Sequence, residues 1–460
     1  MRRAPVRRTS APLAAARSTS SGRQVASLRA FWSLAALAVT ASLGCVQPAL
    51  TNRAGRSAPG ASGGFDFVAR WERGRCAPTA LSCRITPPTV AAADMFPADA
   101  HADVARVVPD SADSTTDSAD APVSAAPVRQ LKVLTFNLWT VELPVPRFVY
   151  QVSRDIDSRL RLLPQKVLET GADILIFQEV WRDARKRDLI ERFRQLGYRY
   201  SIRSKDDGGA FERGAIGNGL LIISRYPLSP ERDLLRFSKY TRGYEYFARK
   251  GAIKTSVSIP GLGWIDLVDA HMGAVATEKA NGRPDHFNGH DLSVLADQVR
   301  ELVRFISRSA SSGIVLAAMD MNAHYQVLEH GSYQASFAPE YTMLTCAGLG
   351  VVTRVVSTDC LGLKDTFRAV HGFESTPSWT YDTHSNRYAG DGMFAVEPPG
   401  VLDYIFVNEN PKLVPVSSEI VFKERPADAD GRTIGLGPRM RVPEHLSDHY
   451  GVLTTFAIRN

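Results

Sequence analysis

Four short polar motifs adjoin apolar runs, in a fixed order, along this chain of 460 residues. The motifs are Phe136-Asn137, Gln178-Glu179, Asp320-Met321-Asn322 and Ser447-Asp448-His449. The adjoining apolar runs predict buried strands over Leu131–Thr135, Asp173–Phe177, Ile314–Met319 and Tyr450–Ala457. Polar residues suited to metal binding and proton transfer, placed where strands end, are how an α/β scaffold builds an active site. The pattern therefore predicts a hydrolase.

The region from 130 to 460 is predicted to be the catalytic domain, because strand-like and helix-like runs alternate through it. Helical spacing covers Val152–Thr170, Leu189–Leu196 and Leu292–Ser307, and further strand-like runs cover Asn218–Ser224, Gly251–Ser258, Trp264–Ala270, Leu402–Val407 and Pro415–Phe422. Short strands mixed with helices favour an α/β fold of two packed sheets flanked by helices over a simple parallel βαβ array.

The net charge of +7 comes from the first 44 residues. They contain seven arginines, no lysine and no acidic residue, so 48 of the 55 basic residues remain against 48 acidic ones. A body without net charge lacks the basic bias of many proteins that bind a phosphate backbone, although a local basic patch stays compatible with it. Nucleic acid is therefore a less expected partner, without being excluded.

Residues 1–45 predict an export signal. An arginine-rich start precedes an apolar stretch, Phe31 to Leu43, that is short for a transmembrane helix. Ser42-Leu43-Gly44-Cys45 partly resembles a bacterial lipoprotein processing box, which makes Cys45 a candidate lipidation site. We expect an exported protein, secreted or anchored in the cell envelope. A disordered basic tail ahead of a buried helix is the alternative.

Residues 46–129 are rich in Ala, Pro, Ser and Asp and predict a low-complexity, disordered tether. The five cysteines favour an oxidising compartment. With Cys45 set aside, Cys76 lies close to Cys83 and Cys346 close to Cys360, so two disulfides would be permitted. Four free thiols in a cytosolic protein are the alternative.

Glu179 and Asn137 are candidate metal ligands. A carboxylate at the end of a buried strand is costly unless it is paired or metal-bound, and Glu179 follows such a strand. Magnesium takes oxygen ligands, often one or two carboxylates with substrate phosphate and water. Taken singly, Glu179 could be a charge at a helix N-terminus and Asn137 a turn residue.

The Asp320-Met321-Asn322 motif continues an apolar run. Alternation along extended backbone predicts that Asp320 and Asn322 share one face while Met321 points into the core. Such a pair could orient a nucleophilic water and bind a phosphoryl oxygen. An Asx turn is the alternative.

His449 is the candidate general base, because an imidazole can take a proton from water near neutral pH. It needs a group that orients it, and Asp403 in Leu402-Asp403-Tyr404 offers a carboxylate on a strand. His271, at the end of another predicted strand, could stabilise charge on phosphoryl oxygens. His324, His330 and His384 are expected to be structural.

The ordered motifs between Leu131 and Ile458 resemble the endonuclease/exonuclease/phosphatase superfamily. The resemblance implies a four-layer α/β sandwich that hydrolyses phosphate esters with a divalent metal, usually magnesium, with manganese or cobalt as alternatives. It implies a metal site at Asn137 and Glu179 with Asp448 nearby, Asp320 and Asn322 around the attacking water and phosphate, His449 as base oriented by Asp403, and His271 on the phosphoryl group.

Within the superfamily, three further segments resemble the neutral sphingomyelinases. They are Asn218–Pro227, Lys250-Gly251-Ala252 and Trp379–Asp382, the last followed by Asn386. This likeness implies hydrolysis of sphingomyelin to ceramide and phosphocholine at a lipid membrane surface, with Lys250, Asp382 and Asn386 as substrate-binding candidates. The aromatic-rich stretch Phe237–Phe247 either inserts into a membrane or packs internally.

Other functions remain open at this stage. An exported nuclease, a phospholipase C acting on glycerolipids and a phosphoinositide phosphatase would use the same chemistry, and a catalytically dead surface-binding protein would require loss of a motif residue. All the motif residues are present. We expect a monomeric enzyme, and the head group of its substrate stays undetermined.

Overall fold

The computed structural model describes residues 104–107, 128–145, 148–204, 217–241, 245, 248–280, 283–309, 313–348, 360–373, 378–390, 397–426 and 440–459. For residues 104–107, 143–145, 148–150, 280 and 309 it describes the backbone alone. The expected export signal, Cys45, the Cys76 and Cys83 pair and most of the expected tether lie outside these residues.

The described residues form strands and helices in alternation. The strands are β1 Val104–Val107, β2 Gln130–Asn137, β3 Glu142–Val145, β4 Phe148–Gln151, β5 Ile174–Gln178, β6 Tyr200–Arg203, β7 Leu221–Ser224, β8 Arg232–Arg236, β9 Gly251–Ile259, β10 Gly263–His271, β11 Thr277–Ala280, β12 Arg283–Phe287, β13 Val315–Asp320, β14 Gln326–Glu329, β15 Ser332–Phe337, β16 Lys364–Asp365, β17 Asp403–Val407, β18 Leu413–Val421 and β19 Gly451–Ile458. The helices are α1 Ile156–Thr170, α2 Asp183–Arg194, α3 Gly289–Ser309, α4 Pro339–Thr345, α5 Thr366–His371 and α6 Arg387–Gly390.

Two mixed sheets dominate the described part of the chain. The seven-stranded sheet has the order β1-β8-β9-β10-β13-β17-β16, and the six-stranded sheet has the order β18-β19-β2-β5-β7-β6. In each, a parallel pair lies at the centre: β10 beside β13, and β2 beside β5. Three further hairpins, β3 with β4, β11 with β12 and β14 with β15, are built from the remaining strands.

Side-chain alternation divides the apolar residues into three cores. On β2, Leu131 and Val133 enter the core between the two sheets, whereas Leu134 and Phe136 enter a core shared with α1 and α2. On β13, Leu316 likewise faces between the sheets, and its neighbours of opposite parity pack on the α3 and α4 side. Helix, sheet, sheet and helix therefore form the four-layer α/β sandwich that the sequence predicted.

The predicted strands and helices are confirmed, with small shifts at their ends. The largest shift is in the second predicted helix, which begins at Asp183 instead of Leu189, and the strand predicted from Asn218 begins only at Leu221 because Gly217 and Gly219 have positive φ. Helix α1 ends as predicted before Gly171, whose φ of 68° suits a left-handed cap.

Strand β1 lies inside the segment that was expected to be a disordered tether. Its backbone pairs antiparallel with β8, from Val104 opposite Leu235 to Val107 opposite Arg232. An edge strand is held by backbone hydrogen bonds, so a composition poor in large apolar residues did not exclude it. The tether expectation therefore does not hold for these four residues.

Two other features bear on the sequence expectations. Cys346 and Cys360 form a disulfide across the end of α4. Phe237 is buried in the core beside α3, which favours internal packing for that aromatic residue, while Tyr244, Tyr246 and Phe247 lie outside the described residues. In the parts of the chain that are described, no helix is both long and apolar enough to cross a membrane.

Candidate active site

Three predicted site residues lie side by side on the seven-stranded sheet. His271 of β10 pairs with Asp320 of β13, and Asp320 pairs with Asp403 of β17. Their strands place alternate residues, such as Leu267, Leu316 and Ile405, in the core between the sheets. The three side chains share that parity, so they point towards the six-stranded sheet. We call them the ladder residues, because backbone pairing fixes their spacing.

The six-stranded sheet brings the first two motifs to the same end of the sandwich. Asn137, the last residue of β2, pairs with Gln178, the last residue of β5. Glu179 then leaves the strand with a φ of 58°. A Cβ atom at Gly219 would lie 3.2 Å from the Cα of Glu179 and 2.9 Å from Cε3 of Trp181, so this close passage of the two segments requires glycine.

Direct contacts join the two sheets at this end. Asn137 Nδ2 donates to Asp320 Oδ2 at 2.7 Å and to Glu179 Oε1 at 3.2 Å. His271 Nε2 lies 3.4 Å from Asp320 Oδ2 and 3.7 Å from Glu179 Oε1. Burial would raise the pKa of Asp320, but the charges of His449 and His271 hold that pKa well below its usual value. Asn137, Glu179, His271 and Asp320 thus meet in one cluster, in which only Glu179 is partly exposed.

The predicted base and its orienting carboxylate are in contact. His449 Nδ1 lies 2.8 Å from Asp403 Oδ2, and both residues are buried. Burial alone would lower the pKa of His449, but the charges of Asp403 and Asp320 raise it well above its ordinary value. Burial raises the pKa of Asp403, and the nearby charge of His449 opposes that rise.

Asp448 interacts electrostatically with both His449 and Glu179. Burial raises its pKa to about 7; His449 opposes the shift and the negative charge of Glu179 adds to it. Ser447 Oγ donates to Asp448 Oδ1 at 3.1 Å. Two mutually repelling carboxylates, one buried and one partly buried, favour a bound cation nearby.

The alternation argument fails at Asn322. Strand β13 ends at Asp320, and Asn322 has a φ of 51°. Its backbone N–H donates to Asp320 Oδ1 at 2.9 Å, as in an Asx turn, and its Nδ2 donates to the carbonyl of Met272 at 2.8 Å. Met321 is buried as predicted. The turn arises because the short Asp side chain captures a backbone N–H two residues ahead.

The three substrate-binding candidates have structural contacts. Lys250 Nζ is buried 2.7 Å from Glu245 Oε2. Asp382 Oδ1 accepts from the backbone N–H groups of His384 and Ser385. Asn386 Nδ2 donates to the carbonyl of Ser447 at 2.9 Å, so Asn386 supports the segment that carries Asp448.

The contacts of two supporting residues, Gln178 and Arg159, were not predicted from the sequence. Gln178 Nε2 donates across the sheets to Asp269 Oδ1 at 2.8 Å, directly beneath Glu179 and His271. Arg159 of α1 is fully buried behind the Asn137 and Asp448 segments. Arg159 follows Ile156 by three residues, which places it on the apolar face of the helix, and that position was the available signal.

The donor set suits a hard divalent cation. A carboxylate oxygen of Glu179, a carboxylate oxygen of Asp320 and a ring nitrogen of His271 lie within 4.8 Å of one another. Glu179 Oε2 is buried and has no hydrogen-bond partner among the described residues. The amide oxygen of Asn137 accepts from the N–H of Trp139, and turning the amide over would present that oxygen to Glu179 instead of Nδ2.

A comparison with protein families finds a match over more than half of the chain. The model of the endonuclease/exonuclease/phosphatase family matches residues 134–449, which include all four motifs. The chain belongs to the endonuclease/exonuclease/phosphatase family. Members of this family are hydrolases of phosphoester bonds, and this protein is one of them. No curated protein matches the sequence.

Several solved structures are similar to the chain. A beta toxin variant from Staphylococcus aureus with bound magnesium ions is 20% identical, with a TM-score of 0.48, over 72% of this chain and 100% of that chain. Sphingomyelinase C from Streptomyces griseocarneus is 18% identical, with a TM-score of 0.47, over 71% and 99%. D. rerio TDP2 complexed with single strand DNA product is 16% identical, with a TM-score of 0.45, over 71% and 98%. At such identities these neighbours do not determine the substrate.

Proposed function

We propose that this protein is an exported, magnesium-dependent phosphodiesterase that hydrolyses sphingomyelin to ceramide and phosphocholine. The observation that carries the reaction type is the buried cluster of Asn137, Glu179 and Asp320 beside the Asp403–His449 pair. Support for a lipid substrate comes from the segments around Gly219, Lys250 and Asp382 and from the lack of net charge beyond the leader. We expect the enzyme to act as a monomer at a sphingolipid-containing membrane surface.

The Asp403–His449 hydrogen bond defines which atom takes the proton. Because Nδ1 donates to Asp403 Oδ2, Nε2 is the ring atom that accepts a proton from the attacking water. Asp403 then stabilises the imidazolium that forms. The surrounding carboxylates raise the pKa of His449, so the neutral ring that accepts a proton forms at a higher pH than in a free histidine.

The remaining residues bind and orient the phosphoryl group. His271 faces Glu179 and Asp320 from β10, where a ring N–H would donate to a phosphoryl oxygen and stabilise its negative charge. Asn137 holds the carboxylates of Glu179 and Asp320 at a fixed separation. With the Asn137 amide turned over, its oxygen would join Glu179 and Asp448 in holding a divalent cation, which would neutralise phosphoryl charge and stabilise the departing alkoxide.

A substrate panel tests this proposal. The full-length protein is incubated with sphingomyelin, phosphatidylcholine and phosphoinositide vesicles and with supercoiled plasmid DNA, each with magnesium and with EDTA. We expect phosphocholine release from sphingomyelin with magnesium but not with EDTA, and a much slower release by His449→Ala. Plasmid nicking without phosphocholine release would instead identify a nuclease, and phosphocholine release from phosphatidylcholine alone a phospholipase C.

A further inference from the structure

Arg159 is the largest side chain among those fully buried in the described residues. A charged guanidinium is rarely buried unless its donors are satisfied. Its ring neighbours are Trp139 and Tyr388, whose centroids lie 5.3 and 5.6 Å from the guanidinium carbon. A buried arginine costs free energy unless its N–H groups are hydrogen-bonded.

The guanidinium of Arg159 bonds to backbone carbonyls on three segments. Nη1 donates to the carbonyls of Leu138 at 2.7 Å and Leu446 at 3.0 Å, and Nη2 donates to the carbonyl of Trp139 at 2.7 Å. Nε donates to the carbonyl of Arg154 at 2.8 Å, ahead of its own helix. The forked guanidinium group therefore joins the segment just after Asn137 to the segment just before Ser447 and Asp448.

The charge of Arg159 also faces the site. Burial lowers its pKa to about 10, and nearby Tyr388, Asp448, Asp155 and Glu179 counteract that effect, so the group stays cationic at neutral pH. No carboxylate among the described residues lies within ion-pair distance of it. A fixed cation placed behind Asp448 and Glu179 offsets their repulsion at longer range.

We propose that Arg159 is a positioning residue, which holds the segments carrying Asn137 and Asp448 at the separation that a divalent cation needs. This inference rests on the proposed function. Only a planar fork with several fixed donors can bond to Leu138, Trp139 and Leu446 together; a lysine ammonium is a point charge on a flexible stem. The bonds go to backbone carbonyls, so they fix where the two segments lie.

Substitutions at Arg159 test this role in the full-length protein. Arg159→Lys keeps the charge and loses the fork, and Arg159→Gln loses the charge and keeps an amide donor. Calorimetry with magnesium chloride alone measures cation binding without substrate, and thermal unfolding in EDTA shows that each variant folds. Arg225→Lys is the matched control, because Arg225 also lies over a ring, that of Tyr198, and approaches the Ala172 carbonyl at the opposite end of β5.

We expect Arg159→Lys to weaken magnesium binding about 10- to 100-fold, the range found for groups that orient metal ligands. Excess magnesium should then restore most of the turnover, because the chemistry itself is intact. Arg225→Lys should bind magnesium as the unaltered protein does. If both Arg159 variants bind magnesium as tightly as the unaltered protein, the positioning role of Arg159 is wrong while the proposed metal dependence stands. If the unaltered protein binds no divalent cation, the inference and the proposed metal dependence both fail.

Discussion

The two sides of the site are held in place by different kinds of contact. On the seven-stranded sheet, His271, Asp320 and Asp403 are neighbours in a backbone ladder, so their spacing follows from strand register. Glu179 and Asp448, which we call the loop residues, lie just beyond strand ends, where no ladder reaches. Side-chain contacts from Asn137, Arg159 and Asn386 support their segments. The ladder side should therefore tolerate loss of a side chain without moving, whereas the loop side should not.

The largest expected effect comes from removing the base beside the ladder. His449→Ala should lower kcat by about 10³-fold or more, since general base catalysis contributes roughly 10² to 10⁴. Magnesium affinity should change little, because the proposed metal ligands are unchanged, whereas the unfolding temperature should fall, because Asp403 loses its buried partner. Phosphocholine release and magnesium calorimetry check this. Turnover near that of the unaltered protein would rule out His449 as the base.

The loop side should lose its metal more readily. Glu179→Gln removes the carboxylate charge while keeping the side-chain shape, and we expect magnesium affinity to fall about tenfold or more, because magnesium prefers carboxylate oxygens. EDTA should abolish hydrolysis by the unaltered enzyme, and added magnesium should restore it. Glu409→Gln, at an exposed position just after β17, serves as the charge-matched control. Hydrolysis that survives EDTA would contradict the metal dependence.

A smaller effect is expected from His324, near the ladder residues, on how the stability of the fold depends on pH. His324 follows Asp320 by four residues and stacks on Tyr333, with ring centroids 3.7 Å apart. Burial lowers its pKa to about 3, so the folded state keeps the ring neutral. In the unfolded chain the pKa of this histidine is about 6.5, so below that pH the unfolded state binds a proton that the folded state does not. The free energy of unfolding is therefore highest above pH 6.5 and decreases as the pH is lowered towards 3.

The expected loss is about 2 kcal/mol between pH 6.5 and 5, from roughly 1.4 kcal/mol per pH unit. His324→Asn keeps an acceptor for the N–H of Gln326 and should flatten this dependence, whatever its stability at pH 7. Urea unfolding from pH 5 to 7.5 measures both proteins. An equal slope in the two would show that another group carries the acid sensitivity.

Much of the ladder side could be predicted from the sequence, because it depends on local alternation. Apolar runs that end in Asp320 or continue from Asp403 predict both the strand and the direction of its last side chain. The prediction failed at Asn322, where a side-chain bond to the backbone ended the strand. Local pattern did not reveal this competition, although the Asx turn was the recognised alternative.

The supports of the loop side could not be predicted, because they join residues far apart in the chain. Arg159 bonds to Leu446 across 287 positions. Nothing in a single sequence ties one buried arginine to a particular carbonyl. Lys250 shows the converse: the lysine suggested a substrate contact, and its buried partner is Glu245. The spatial partners of charged residues depend on tertiary packing.

The hydrogen bond from Gln178 to Asp269 has a consequence for how the two sheets can move. Apolar side chains between the sheets can slide over one another with little change in energy, but a hydrogen bond is lost when its donor and acceptor shift by an ångström or so. Asp269 is fully buried, which raises its pKa well above its usual value, so no water can replace the bond from Gln178 if it breaks. This bond, together with the bond from Asn137 to Asp320, thus fixes the offset of the sheets at the end where catalysis would occur. Enlarging the central core should therefore break this bond before the apolar packing fails.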